Sequence, residues 1–265
     1  MKMELWQGVV LGFLQGVAEF LPISSSGHLL VLRNLLELGN IPVLFDVLLH
    51  LATLFAILLV FRKKIGAILV SIGRFTVGKS DKKDSQNLLM VPAVIIATIF
   101  TAGIGLVIEP LEVERMPKLT FLFFIITGFI LLFIRFYKGK GIHKGLIVSG
   151  LITGIAQGFG ILPGISRSAI TISAARFSGM TREDAGELSF LIAIPAILGA
   201  VVLDLKDSES LFSQVTPFVL TSSFLVSFFV GIASLVWLLK LLKGGKLYLF
   251  SYYLIPLGII GLIFF

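Results

Sequence analysis

Cysteine is missing from all 265 residues. That absence excludes a disulfide framework, a thiol nucleophile and any cysteine metal site. Charge is scarce as well: Asp, Glu, Lys and Arg make up 14% of the chain, against about a quarter in soluble proteins. In their place 57% of residues are hydrophobic, 24 of them Phe, and the mean hydropathy is +1.04. Several apolar runs reach the roughly 20 residues that cross a bilayer as a helix. The composition therefore points to an all-α, polytopic integral membrane protein with essentially no soluble part, one membrane domain over residues 1–265.

The net charge of +7 does not read as nucleic-acid binding, because Lys and Arg cluster in short loops, where they act as topology signals. Lys2 and the apolar run after it imitate a secretory signal. Gln15 and Glu19 interrupt that run and no convincing small-x-small cleavage site follows, so it is read as mature sequence.

Full spans are predicted at about 42–61, 87–108, 119–137, 185–204, 215–239 and 247–265, with a short interfacial helix at 65–73. Two apolar regions are broken. Residues 5–22 contain Gly8, Gly12, Gly16, Glu19 and Pro22 and lead into a short piece at 24–37; the second broken region covers about 146–179. Each reads better as a pair of short helices that dips in and returns than as a lipid-facing span. Sixteen of the 22 basic residues fall at 62–86, 135–144, 176–182 and 240–246. Lys2, Arg33, Arg115, Lys118 and Lys206 fall on the other side, and Arg167 lies inside the second broken region. Positive loops face the cytoplasm, so both termini are expected outside it. The two broken regions then enter from opposite faces.

An internal repeat agrees. Gly8, Gly12, Gln15 and Gly16 recur 142 residues later as Gly150, Gly154, Gln157 and Gly158. After one deletion Leu21-Pro22 matches Leu162-Pro163, and Ser25 falls opposite Ser166. The repeats cover approximately 1–110 and 145–239. Small-xxx-small spacing lets helices approach closely in lipid, and inverted repeats with broken helices are also a transporter design.

The chemistry sits in the breaks. An ionised side chain at mid-bilayer costs about 2.5–3.5 kcal/mol on insertion scales, so such residues are functional candidates. Gln15 and Glu19 share a helix face, and Pro22 ends that helix. Ser24-Ser25-Ser26-Gly27 is placed to cap the next helix, whose free N–H groups suit an anion, with His28 in its first turn. The second break offers Ser166, Arg167, Ser168 and Thr171, with a guanidinium suited to grip phosphate. A base or nucleophile, an anion clamp and a carboxylate for a divalent cation together fit phosphoryl transfer. A serine activated by histidine and a directly attacking histidine use the same residues; the expectation taken is Ser25 attacking with His28 as base. Asp46 and His50, at i and i+4, are either a helix-end pair or support for the site, and Glu187 is equally open.

Glu-Phe-Leu-Pro-Ile-Ser-Ser-Ser-Gly-His (19–28) and Pro-Gly-Ile-Ser-Arg-Ser-Ala-Ile-Thr (163–171) resemble the two signature motifs of the bacterial undecaprenyl-diphosphatase (bacitracin-resistance) family, and the similarity covers essentially the whole chain. The resemblance implies hydrolysis of undecaprenyl diphosphate to the monophosphate, recycling the lipid carrier of cell-wall synthesis. It implies a bacterial plasma (inner) membrane location, a site open to the extracytoplasmic side and a divalent cation, Mg2+ or Ca2+. Glu19, Ser25, His28 and Arg167 match its catalytic positions. Ser24, Ser26, Ser166, Arg167, Ser168 and Thr171 would bind substrate, and Glu19 with Gln15 the metal. Position 15 is Gln where some members have Glu, so this chain brings one charge fewer to the cation. A homodimer is a further expectation. The rival reading is a transporter or flippase of a phosphorylated polyprenyl lipid, which would need Arg167 but no nucleophile; a structural scaffold leaves Glu19, His28 and Arg167 unexplained.

Overall fold

The computed structural model describes residues 3–38, 41–113, 116–137, 145–204 and 214–264. Lys2, Arg115, Lys138, Lys140, Lys144 and Lys206, used in the charge count, lie outside the described residues. The described residues form helices and no strand: α1 (Leu5–Ala18), α2 (Ser25–Leu35), α3 (Val43–Val60), α4 (Arg62–Thr76), α5 (Ser85–Ile108), α6 (Pro117–Ile134), α7 (Leu146–Phe159), α8 (Arg167–Phe177), α9 (Arg182–Asp204), α10 (Pro217–Lys243) and α11 (Ser251–Phe264). Six spans, over α3, α5, α6, α9, α10 and α11 together with the helical turn Leu247–Phe250 that runs into α11, are long and apolar enough to cross a membrane. The chain is an all-α, multi-pass membrane protein. The expected interfacial helix at 65–73 is longer, running from Arg62 to Thr76, and its Ser71 donates to Asp84 of the following turn at 2.7 Å.

Helices α3 and α9 form the centre. Half of each span is buried inside the protein, against 33% or less for the other four. They pack on each other, with α10 against α3 and α5 against α9. The short helices fit into this frame by close backbone approach: α1 lies along α10 and α7 along α5. A Cβ at Gly12 would run into the backbone of Ser223 on α10, and one at Gly154 into the backbone of Ala97 on α5. Without a hydrophobic driving force between helices in lipid, such contacts and their hydrogen bonds supply the association. Thr101 of α5 donates to the Gly154 carbonyl at 3.1 Å, and Gln157 Nε2 donates to Thr101 Oγ1 at 3.1 Å and to the Ile192 carbonyl of α9 at 3.2 Å. The remaining pair, α6 and α11, packs together; α6 reaches α2 and α8, and α11 meets α2 through Tyr253 and His28.

Each short helix stops where the sequence says it should. Pro22 offers no N–H to continue α1, which ends at Ala18. The chain then turns through Ser24, whose φ of 71° lies in the left-handed region that non-glycine residues rarely adopt. Ser24 caps α2 by accepting from the Gly27 N–H at 3.4 Å, and Ser166 caps α8 by accepting from the Ala169 N–H at 3.2 Å.

Candidate active site

The two breaks meet. Gly164 N–H donates to Ser24 Oγ at 3.0 Å, joining residues 140 positions apart. Gly164 has φ 96°, and a Cβ there would collide with the Thr120 carbonyl of α6, so only glycine lets the second loop seat against both partners. Thr127 of α6 accepts from the Ser166 N–H at 3.2 Å and donates to the Gly164 carbonyl at 2.9 Å.

Glu19 is the centre of the join. Its side chain is 3% exposed, and four groups from four helices converge on it. Gln15 Nε2 of α1 donates at 3.0 Å, Ser25 Oγ of α2 donates at 2.7 Å, and Arg167 Nη2 of α8 pairs with the other oxygen at 2.5 Å. His50 Nε2 of α3 stands 3.4 Å from the carboxylate. His50 Nδ1 lies 2.8 Å from the Asp46 carbonyl, which can only accept. Nδ1 therefore carries a proton, and Nε2 donates to Glu19 when the ring holds its second one. A buried charge must be paired and hydrogen-bonded, and both conditions are met only by residues from different parts of the chain.

These groups border a cavity of about 390 Å³. Its polar wall comprises Glu19, Ser24, Ser25, Ser26, Ser166 and Arg167, continued by Arg33, Asp46 and His50; Leu29, Leu30, Val43, Val47, Ile197 and Ala200 supply an apolar wall. An ionic pocket with an apolar flank in one cavity suits an amphiphilic anion. The starts of α2 and α8 both open on it, and first-turn N–H groups of a helix favour an anion.

Several expected residues stand elsewhere. His28 does not border the cavity. Its Nδ1 donates to the Ser24 carbonyl at 2.8 Å, so Nε2 accepts from the Tyr253 hydroxyl of α11, also at 2.8 Å. The ring lies between Phe124 and Tyr253. The Ser25–His28 pair is not formed, because the ring is held by the Ser24 carbonyl and Tyr253 while the Ser25 hydroxyl donates to Glu19. Ser168 and Thr171 are also off the cavity. Ser168 Oγ reaches the Leu21 carbonyl at 3.4 Å and Ser166 Oγ at 3.2 Å, and Thr171 Oγ1 bonds the Arg167 carbonyl at 2.7 Å and Ser189 Oγ at 2.6 Å. They fasten α8, and with it Arg167, to the first loop and to α9. Glu187 pairs with Lys64 at 2.8 Å, outside the cavity.

The metal expectation fits only loosely. Gln15 turns its N–H to Glu19 and leaves its buried carbonyl oxygen without a partner. Both Glu19 oxygens already hold donors, and among the described residues no group of three His, Cys, Asp or Glu is arranged to hold an ion. Such a donor set suits a cation that comes largely coordinated by phosphate and water, as Mg2+ does, rather than a protein cage.

Sequence reasoning left Asp46 and His50 undecided and read Arg33 only as a topology charge. The i, i+4, i+8 spacing of Ser25, Leu29 and Arg33 on one short helix was the available signal.

The family described as bacitracin resistance protein BacA matches residues 8–260, which include both breaks. The chain belongs to the bacitracin resistance protein family. It is 46% identical to the undecaprenyl-diphosphatase of Treponema denticola over 262 residues, 97% of this chain and 96% of the relative. It is 40% identical to the undecaprenyl-diphosphatase of Borreliella burgdorferi over 260 residues, 97% of each chain. With that of Desulforapulum autotrophicum it shares 39% over 272 residues, 98% of each. Membership in the bacitracin resistance protein family spans the helices as well as the motifs, so the cavity and its supporting frame come as one unit.

Proposed function

We propose that this protein hydrolyses undecaprenyl diphosphate to undecaprenyl phosphate and inorganic phosphate, recycling the lipid carrier of cell-wall synthesis and conferring bacitracin resistance. The observation that carries the site reading is the shared carboxylate: Glu19 accepts from the Ser25 hydroxyl on one side and pairs with Arg167 on the other. It is supported by relatives that bear the name undecaprenyl-diphosphatase over nearly the whole chain.

Ser25 attacks the terminal phosphorus. Its proton passes to Glu19, to which the hydroxyl already points, and the bond from that phosphorus to the bridging oxygen breaks. The lipid leaves as its monophosphate, and water then cleaves the phosphoserine to release phosphate. Arg167 and the N–H groups opening α2 and α8 hold the phosphoryl oxygens, with Ser24, Ser26 and Ser166 around them; such preorganised donors are each worth about 10²–10³ in rate. His50 adds a polar neighbour 3.4 Å from Glu19. His28, Ser168 and Thr171 position the loops rather than touch the substrate, His28 by fixing the Ser24 carbonyl. A divalent cation, Mg2+ or Ca2+, would be held by Glu19, with the Gln15 carbonyl available if its amide turned, and would neutralise phosphoryl charge.

The protein lies in the bacterial plasma (inner) membrane with the cavity open to the extracytoplasmic side. The supporting facts are the distribution of basic loops and the lengths of α1 and α7. Each has 14 residues, about 21 Å at 1.5 Å per residue, short of a roughly 30 Å hydrocarbon core. Both therefore read as re-entrant, and their matched packing on α10 and α5 suits an inverted repeat.

Purified protein in detergent should release phosphate from long-chain polyprenyl diphosphate. Arg167→Ala and Ser25→Ala should each abolish turnover while the protein stays folded. A pure carrier would not need the Ser25 hydroxyl, so an active Ser25→Ala variant rejects this reading.

A further inference from the structure

Arg167 and the starts of α2 and α8 clamp the terminal phosphate, and the phosphate that stays on the lipid needs a partner of its own. Arg33 occupies the last turn of α2, and Ser25, Leu29 and Arg33 all border the cavity. Arg33 is unlike the chain's loop cations. Its side chain is only 16% exposed, and Nη2 pairs with Asp46 Oδ1 at 2.5 Å. Its Nε is buried and without a hydrogen-bond partner. Arg167 shows the same arrangement: one arm on Glu19, and a buried Nη1 left unbonded.

Leaving a buried donor unpaired is costly, and more so when the group is charged. Two guanidinium groups bordering one cavity, each with one arm on a carboxylate and one donor unused, describe a site for a ligand carrying two anionic groups. Guanidinium donors match phosphate oxygens in geometry and charge. Eight residues of helix place the Ser25 and Arg33 Cα atoms about 12 Å apart, and helical side chains lean toward the helix N-terminus. The Arg33 head is thereby brought back toward Ser25. Val43 and Val47, on the same helix as Asp46, add apolar wall for the start of a prenyl chain.

We propose that Arg33, oriented by Asp46, binds the phosphate that remains on the lipid while Arg167 holds the one that departs, so that the two together select a diphosphate over a monophosphate. This rests on Ser25 attacking the terminal phosphate. Arg33 touches substrate but neither the attacking oxygen nor the bond that breaks, so its loss acts on binding.

The test follows the lipid product chromatographically and measures inhibition by methylenediphosphonate and by orthophosphate. Wild-type protein should be inhibited by the diphosphonate at least tenfold more strongly than by orthophosphate. Arg33→Gln should remove that preference by raising the diphosphonate inhibition constant about tenfold, leaving the orthophosphate constant within threefold, with KM raised and kcat within tenfold. If Arg33 merely ties α2 to α3, both constants shift together and the proposal falls. Arg33→Lys keeps charge without the fork and should lose at least threefold of the preference; it carries the test if Arg33→Gln does not fold. A retained preference in Arg33→Lys then overturns the assignment. Arg33→Gln with wild-type preference beside an inactive Arg167→Ala rejects the Arg33 role alone, whereas an active Arg167→Ala rejects the site on which it rests.

Discussion

Replacing Glu19 by Gln separates the two jobs assigned to that carboxylate. The side chain keeps its size, but its charge is gone and one oxygen becomes an NH2 group. Whichever way the amide turns, a donor then faces a donor: Arg167 Nη2 on one side, or Gln15 Nε2 on the other, where the Ser25 hydroxyl would have to turn and accept. Arg167 is left without its counter-charge at 18% exposure. Breaking a buried pair by removing one partner costs about 3–5 kcal/mol, so thermal stability in detergent should fall clearly. Loss of the proton acceptor for Ser25 adds a kinetic defect of about 10²–10⁴ in kcat. Each tenfold of that defect corresponds to about 1.36 kcal/mol of barrier. The double variant Glu19→Gln with Arg167→Gln distinguishes the jobs. Removing both charges together should recover most of the stability, since neutral replacements of a buried pair are often harmless. It should recover no activity, because residues that act as a unit are not additive in catalysis. Melting temperature and phosphate release on the same preparations provide the check. Glu19→Gln turning over within tenfold of wild type while its melting temperature falls would show Glu19 to be only a counter-ion for Arg167 and refute the proton-acceptor role; an active double variant would refute the Arg167 clamp as well.

Three further outcomes are expected. Gly12→Leu drives a side chain into the Ser223 backbone and should destabilise the α1–α10 contact by at least about 1–3 kcal/mol; Gly66→Ala, with open space around it, should melt like wild type. Tyr253→Phe removes the partner of His28 Nε2 and should cost about 0.5–1.5 kcal/mol of stability with kcat within tenfold, read by melting and phosphate release; a kinetic loss as deep as that of Ser25→Ala would return the base role to His28. A chelator should stop phosphate release and Mg2+ or Ca2+ restore it, and Gln15→Glu, which adds ligand charge beside Glu19, should lower the half-activating cation concentration by about tenfold. A half-activating concentration unchanged by Gln15→Glu would remove position 15 from the cation site.

The helices were legible because membrane spans announce themselves by length and apolarity, and all six expected spans have a helix over them. The breaks were legible for the opposite reason, since Pro22 and Pro163 lack the N–H that would continue a helix. The direction of side chains on α2 was less so. Ser25 and His28 are three residues apart, which allows contact along one helix face, yet the ring is drawn off by the Ser24 carbonyl and Tyr253. Tyr253 lies 225 positions away, and no local spacing in the chain encodes that meeting. His50 was hidden similarly: its i+4 relation to Asp46 was plain, but its approach to Glu19 depends on how α3 crosses the first loop. Thr171 misled because a hydroxyl in a signature motif looks like a ligand, whereas in a low-dielectric interior it serves equally well to satisfy the Arg167 carbonyl and Ser189.

The site exists where it does because neither break can stand alone. Glu19 in the first loop is a buried charge that meets Gln15, Ser25 and His50 from its own half of the chain but no Lys or Arg there. Arg167 in the second is a buried cation whose nearest carboxylate is Glu19. Each charge is expensive to hold in the membrane interior unless the other is present. Pairing them therefore fixes the two loops together, along with the Gly164–Ser24 bond and the Thr127 bridge. The same pairing places the Ser25 hydroxyl against an acceptor and leaves one arm of Arg167 unbonded, in a residue that borders the same cavity as Arg33, a second half-satisfied guanidinium. Stability and readiness for an anion thus come from one arrangement: the carboxylate that makes the fold tolerable uses one donor of the cation, and the donor that remains is the one a phosphate can take.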